Sequence, residues 1–240
     1  MDEWLSRTGL LIGDEKLQRL SQSNILVVGT GGVGAYAAEM LCRAGVGRMT
    51  IIDGDVVSPS NINRQLIALH STIGKPKTEI LADRLKDINP SIVLKAEFRY
   101  LSCDDIKEIL DSEKYDYVID AIDTLAPKIT LIEQCIKRKL KIISSMGAGG
   151  RTDPAKIIYG DISDTYHCSL AKAVRKRLQS IGIKKGLKVV FSTEQADKKA
   201  VIATSNERNK KSTVGTISYL PAMFGCYLAA FVIRKITEKK

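Results

Sequence analysis

Asn24–Gly34 reads NILVVGTGGVG, and the fold of the chain turns on it. Ile25–Val28 is a short unbroken apolar run, which suits a strand covered on both faces of a parallel sheet. Gly29-Thr30-Gly31-Gly32-Val33-Gly34 follows it and fits G-x-G-x-x-G. Glycines there let the backbone approach a phosphate, and the N-terminus of the helix behind them supplies N–H donors. Gly34–Arg43 provides that helix, and Gly45 and Gly47 stop it. A second apolar run, Arg48–Asp53, ends in Asp53 nineteen residues after Gly34. That is where such a fold holds a carboxylate for a ribose hydroxyl. This signal says nucleotide without saying which.

Outward from this unit the same alternation continues. Lys75–Asn89 has helical spacing and is stopped by Pro90, Ile92–Phe98 reads as a strand and Ser102–Leu110 as a helix. Tyr117–Asp120, Pro127–Lys139 and Lys141–Ser145 read as strand, helix and strand. The expectation is an α/β, Rossmann-like, mostly parallel sheet with flanking helices. Residues 1–150 are expected to form the nucleotide-binding portion, and residues 151–240 a smaller C-terminal α+β portion. In the second portion, Lys156–Asp161 and Lys188–Ser192 are expected as strands around a basic helix, Leu170–Leu178. Gln195–Lys211, polar and charged, is expected to be a mobile loop. Ser212–Ile233 carries no charge over 22 residues. Its Pro221, two glycines and hydroxyls favour a buried closing helix over a membrane span, although peripheral membrane contact stays open.

The chain has 240 residues, a net charge of +10 and 44% hydrophobic residues, which is ordinary for a soluble globular protein. Its opening Met1-Asp2-Glu3 is acidic and no apolar leader follows, so a cytoplasmic location is expected. The five cysteines form no CxxC pair, which excludes a zinc site built from two such pairs. The charge is segregated. Residues 1–165 carry 21 basic against 23 acidic side chains, whereas residues 166–211 carry 12 against 3. A localised basic patch binds polyanions by counterion release, so nucleic acid is the expected partner. Lys172, Arg175, Lys176 and Arg177 cluster within two helical turns, and the spacing puts Lys172, Arg175 and Lys176 on one face.

A dehydrogenase reading weakens after Asp53. Asp55 lies just beyond it, then Ser60-Asn61-Ile62-Asn63-Arg64-Gln65, then Lys75-Pro76-Lys77, and later Asp120-Ala121-Ile122-Asp123-Thr124. Each stretch falls past a strand end or at a helix start, where α/β sheets bind ligands. Arg64 and Lys77 offer cations for a triphosphate, and Asp123 a carboxylate for Mg²⁺. Asp120 is the alternative carboxylate; motif register favours Asp123. Hydride transfer needs no such set. His167 beside Cys168 suggests a dyad, but adjacent residues on a strand point to opposite faces.

Together the glycine loop, Asp53, SNxxRQ, KPK and Asp123 resemble the ubiquitin-activating-enzyme-like adenylation family. The opening Ser6–Gly13, the loop Gly147–Pro154 and Val189–Glu194 are similar to its tRNA-modifying dehydratase subgroup. The resemblance implies ATP with Mg²⁺ as cofactors. It implies adenylation of the threonylcarbamoyl carboxylate on a tRNA adenosine, followed by ring closure with loss of AMP. By the same resemblance Gly29, Gly31, Gly32, Gly34, Asp53, Asp55, Ser60, Asn61, Arg64, Lys77, Asp123 and Thr124 hold the nucleotide. Lys77 stabilises the transition state and Asp123 takes the metal. Arg7 reaches the site of a partner subunit, which implies a homodimer, and sulfur-relay or accessory proteins are further partners. The alternative within the family is adenylation of a small sulfur-carrier protein, whose activators usually carry the zinc pairs absent here.

Overall fold

The computed structural model describes residues 3–203 and 212–238. Strand β1 (Asn24–Val28) is buried at every position and lies in the middle of a seven-stranded sheet. It pairs in parallel with β2 (Arg48–Asp53) on one side and β4 (Tyr117–Asp120) on the other. β3 (Val93–Phe98) continues the parallel sheet beyond β2, and β5 (Ile142–Ser145) continues it beyond β4. The continuous apolar run in β1 serves two cores. Ile25 and Val27 face one with α3 (Gly34–Arg43) and α4 (Lys77–Ile88), while Leu26 and Val28 face the other with α5 (Cys103–Ser112) and α6 (Leu125–Lys137).

Residues after 150 extend the same sheet. β7 (Lys188–Ser192) adds in parallel to β5, and β6 (Ile157–Asp161) closes the edge antiparallel to β7, giving the order β3-β2-β1-β4-β5-β7-β6. α7 (Ser169–Ser180) connects them across the second core. This is the expected α/β, mostly parallel, Rossmann-like sheet.

Some boundaries differ from the sequence expectation, for local reasons. α4 begins only after Pro76, and α6 begins at Leu125, with Pro127 inside its first turn where a missing N–H costs nothing. The expected loop 195–211 is partly regular. The Asp197 side chain caps a 3₁₀ turn at Lys198–Ala200, and β8 (Val201–Ala203) pairs with β9 (Ser212–Val214) as a two-stranded ribbon. Residues 204–211 lie outside the described residues. The uncharged run 212–233 is therefore not one helix. Its start is β9, and α8 (Tyr219–Thr237) begins just before Pro221 and continues through Arg234 and Lys235. By length and composition α8 could cross a membrane, yet Leu220, Phe224, Leu228 and Val232 are fully buried against the first core. Gly225 lets α8 approach α3 closely: a Cβ there would lie 2.4 Å from the Val33 carbonyl. Two short helices precede the sheet, α1 (Ser6–Ile12) and α2 (Asp14–Ser21), for which the apolar pattern gave no expectation.

Candidate functional site

The order of the sheet reverses between β1 and β4, so their connections leave in opposite directions and open a crevice at the carboxyl ends of the strands. The glycine loop leaves β1 into this crevice. Gly29 has a φ of +90°, and a Cβ there would meet the Ala121 carbonyl at 2.7 Å. At Gly34 a Cβ would lie 1.8 Å from the Gly29 carbonyl. Packing therefore requires both glycines. Gly31 is different: a Cβ would meet nothing nearer than the Gln65 side chain at 3.7 Å, so packing within the chain does not require a glycine there.

Asp53, at the end of β2, fastens this loop. Its Oδ2 accepts from the Thr30 amide at 2.7 Å and hydroxyl at 3.1 Å, and its Oδ1 accepts from the Asp55 amide at 2.8 Å. Asp55 in turn accepts from the buried Lys77 Nζ at 2.8 Å and from the Tyr100 hydroxyl at 2.9 Å. Lys77 opens α4, where its ammonium opposes the helix dipole; the carboxylate of Asp55 holds it there.

The Pro59–Asn61 turn delivers the next group. Asn61 Oδ1 accepts from the Ser58 amide at 3.1 Å, and the Ser60 hydroxyl lies 3.0 Å from that of Ser58. Arg64 donates from Nη1 to the Ser60 carbonyl and to Asn63 Oδ1, both at 2.8 Å, and packs on Gly32. Among the described residues no carboxylate is recorded as paired with it, leaving a half-buried cation beside the glycine loop. Asn63 also donates to the Thr216 carbonyl at 2.9 Å, tying this turn to the segment after β9.

Across the crevice, β4 ends at Asp120. Asp123 and Thr124 follow, Asp123 exposed and Thr124 at the N-cap of α6. Asp120 is not the available carboxylate. It is fully buried, with Oδ2 2.8 Å from Lys128 Nζ and accepting from Ser144 Oγ at 2.6 Å. No group of three His, Cys, Asp or Glu among the described residues could hold a metal ion.

Three side chains had no role in the sequence reading. Gln65 is buried beside Gly31, and its Oε1 has no hydrogen-bond partner among the described residues. Its place in SNxxRQ was the available signal. Tyr100 and Lys128 act through tertiary contacts that no local pattern reveals.

Two sequence expectations lie elsewhere. Arg7 is exposed on α1, two residues from Leu5, whose side chain packs on Gly45 before the amino end of β2. It stands at the opposite end of the sheet from the crevice, so the chain's own site is not within its reach. The basic face of α7 is also altered. Arg175 donates to the Thr165 carbonyl at 2.8 Å and to its hydroxyl, folding back on the body, while Lys172, Lys176 and Arg177 are exposed. Cys168 is buried as the N-cap of α7 and His167 has a φ of +53°, so the pair is a turn and not a strand.

The sequence pattern of the ThiF family matches residues 5–240. The tRNA threonylcarbamoyladenosine dehydratase of Bacillus subtilis (strain 168) is 40% identical over 97% of this chain and 94% of its own. The enzyme of the same name from Escherichia coli (strain K12) is 36% identical over 99% and 96%. A crystal structure of E. coli tRNA N6-threonylcarbamoyladenosine dehydratase in complex with ATP superposes with a TM-score of 0.88, at 34% identity over 98% of this chain and 96% of that one. The AMP complex gives 0.87 at the same identity and coverage.

Proposed function

Since this chain belongs to the ThiF family, we propose that it is an ATP-dependent adenylating enzyme that dehydrates threonylcarbamoyladenosine in tRNA to the cyclic form. The observation that carries the reading is Arg64, a cation without a carboxylate partner among the described residues, packed on the glycine loop at the point where the sheet order reverses. Whole-chain likeness to dehydratases of that name supports it over the sulfur-carrier alternative.

Gly31 and the N-terminus of α3 receive the phosphates, and Asp53 retains lone pairs for the ribose. Ser60, Asn61 and Arg64 line the same side. The threonylcarbamoyl carboxylate attacks the α-phosphate, forming the acyl-adenylate as the bond to pyrophosphate breaks. Arg64 and Lys77 stabilise the negative charge that develops there. A carboxylate oxygen is a poor leaving group and AMP a good one. The ureido group of the threonylcarbamoyl chain then attacks the activated carbonyl, loses its proton and closes a five-membered ring as AMP leaves, so no covalent enzyme intermediate is needed. Asp123 would hold Mg²⁺, which would supply positive charge against the leaving pyrophosphate. Arg7 acts in the site of a second copy, in a homodimer. Lys172, Lys176 and Arg177 hold tRNA phosphates, and base choice comes from the modified adenosine entering the crevice. Such a substrate places the reaction in the cytoplasm.

The test uses purified protein, ATP, Mg²⁺ and tRNA carrying threonylcarbamoyladenosine, with nucleosides read by mass spectrometry. The expected product has lost the mass of one water, with one AMP formed per event. ATP cleavage with unchanged nucleoside would overturn the reading.

A further inference from the structure

Lys128 is a lysine with no exposed surface, on the α6 side of the crevice, outside the phosphate-binding set. Its ammonium makes two contacts. One is to Asp120 Oδ2 at 2.8 Å and the other to the Ile122 carbonyl at 3.0 Å. Asp120 is itself saturated: Ser144 Oγ donates to Oδ2 at 2.6 Å and the Ile122 amide to Oδ1 at 3.1 Å. Both backbone groups of Ile122 are therefore held by one buried ion pair, and the next residue is Asp123.

The turn has little other freedom. The Ala121 amide donates to the Val28 carbonyl at 2.9 Å, and the Ala121 carbonyl lies where a Cβ of Gly29 would be. A fully buried ion pair is weak evidence for stability, because desolvation of two charges offsets their attraction. Its retention calls for another reason, and the geometry supplies one: the pair fixes the backbone that presents Asp123.

We infer that Lys128 is a positioning residue, which through Asp120 and the Ile122 carbonyl sets Asp123 for the Mg²⁺ that accompanies ATP. The inference rests on the reading of Asp123 as the metal-binding carboxylate. Lys128 touches neither substrate nor metal. Its effect is on the metal-linked part of ATP binding and not on ATP binding itself. Supports of this kind, one step behind a metal ligand, change metal affinity about 10- to 100-fold.

The experiment measures ATP affinity by calorimetry with and without Mg²⁺, on wild type, Lys128→Met, the double variant Asp120→Asn with Lys128→Met, and Asp123→Ala. Wild type binds ATP more tightly when Mg²⁺ is present. Lys128→Met leaves metal-free affinity within about twofold and reduces the Mg²⁺-dependent gain about tenfold or more. If the single variant does not fold, because Asp120 is left buried and unpaired, the double variant carries no buried charge and gives the same readout. Its Ile122 carbonyl still lacks the ammonium. Loss of the gain in Asp123→Ala together with its retention in a folded Lys128 variant overturns the positioning role alone. Retention of the gain in Asp123→Ala overturns the metal assignment and the positioning role with it.

Discussion

Asp120 and Asp123 stand at two ends of one short turn and in opposite surroundings: Asp120 has no exposed surface and is paired with Lys128, whereas Asp123 faces solvent at the crevice. Their substitutions should separate cleanly. Asp123→Ala is expected to leave the denaturation midpoint unchanged and to abolish ATP–pyrophosphate exchange in the presence of substrate tRNA. Asp120→Ala strands a buried ammonium and is expected to lower stability by about 3–5 kcal/mol. Chemical denaturation measured beside the exchange assay checks both, and an active Asp123→Ala enzyme would place the metal elsewhere.

In the proposed reaction Arg64 and Lys77 face charge that develops only as pyrophosphate leaves. Alanine at either position is expected to lower the exchange rate by about 10²–10³-fold, with a much smaller change in ATP affinity. Because Lys77 is held by Asp55, Asp55→Asn is expected to show a milder version of the same loss. An effect confined to KM would assign these cations to ground-state binding.

Arg7 lies at the far end of the sheet from its own crevice, so under the homodimer proposal it acts in trans. Mixing Arg7→Ala subunits with Arg64→Ala subunits should restore activity, since one of the two sites in each hybrid dimer is intact. Exchange is first verified with tagged subunits. No recovery in an exchanging mixture removes Arg7 from the site.

Lys172 and Lys176 remain outward on α7 where Arg175 has turned inward. Replacing both lysines by alanine should weaken tRNA binding and flatten the log–log salt dependence by about two units, roughly one for each lost phosphate contact. ATP affinity should not move. An unchanged salt slope would point to another face for the RNA.

Glu39 joins α3 to α4. Its carboxylate receives Arg84 Nε at 2.5 Å and Arg43 Nε at 2.8 Å. Burial raises its pKa, but the two guanidinium groups outweigh burial and hold it below the ordinary value of 4.5. A carboxyl depressed on folding contributes stability above its unfolded pKa, and that contribution is lost as pH falls through the folded one. Glu39→Gln should therefore be less stable at neutral pH and show a flatter loss of stability below about pH 4.5. Denaturation across about pH 3–7, the range that spans carboxylate titration, reads this directly.

The parallel core was legible because β1 must satisfy two hydrophobic faces at once, which leaves an apolar run too short for a helix and ending in glycine. Most of the proposed nucleotide set follows from a related pattern: Asp53, Arg64, Lys77 and Asp123 come at or after strand ends in a fixed order. Lys128 was hidden, since a lysine in a first helical turn looks like any solvated lysine until Asp120 is found across from it. α1 was hidden by its own pattern. Leu10 and Leu11 are 89% and 84% exposed, so of its large apolar residues only Ile12 packs against the core that periodicity assumes. The start of the closing segment was misread because an uncharged run does not distinguish a strand of the ribbon from a helix, and only pairing with Val201–Ala203 decides it.

α8 meets the nucleotide loop through two close approaches, Pro221 against Gly32 and Gly225 against Val33. The ribosome makes the glycine loop early and α8 very late. The emerging chain can therefore assemble β1–β5 while the back of its phosphate cradle is still unmade, and a long-range contact must form last. A nascent chain stalled before Tyr219 lacks both of these contacts behind the glycine loop, and is expected to bind ATP more weakly than the full chain.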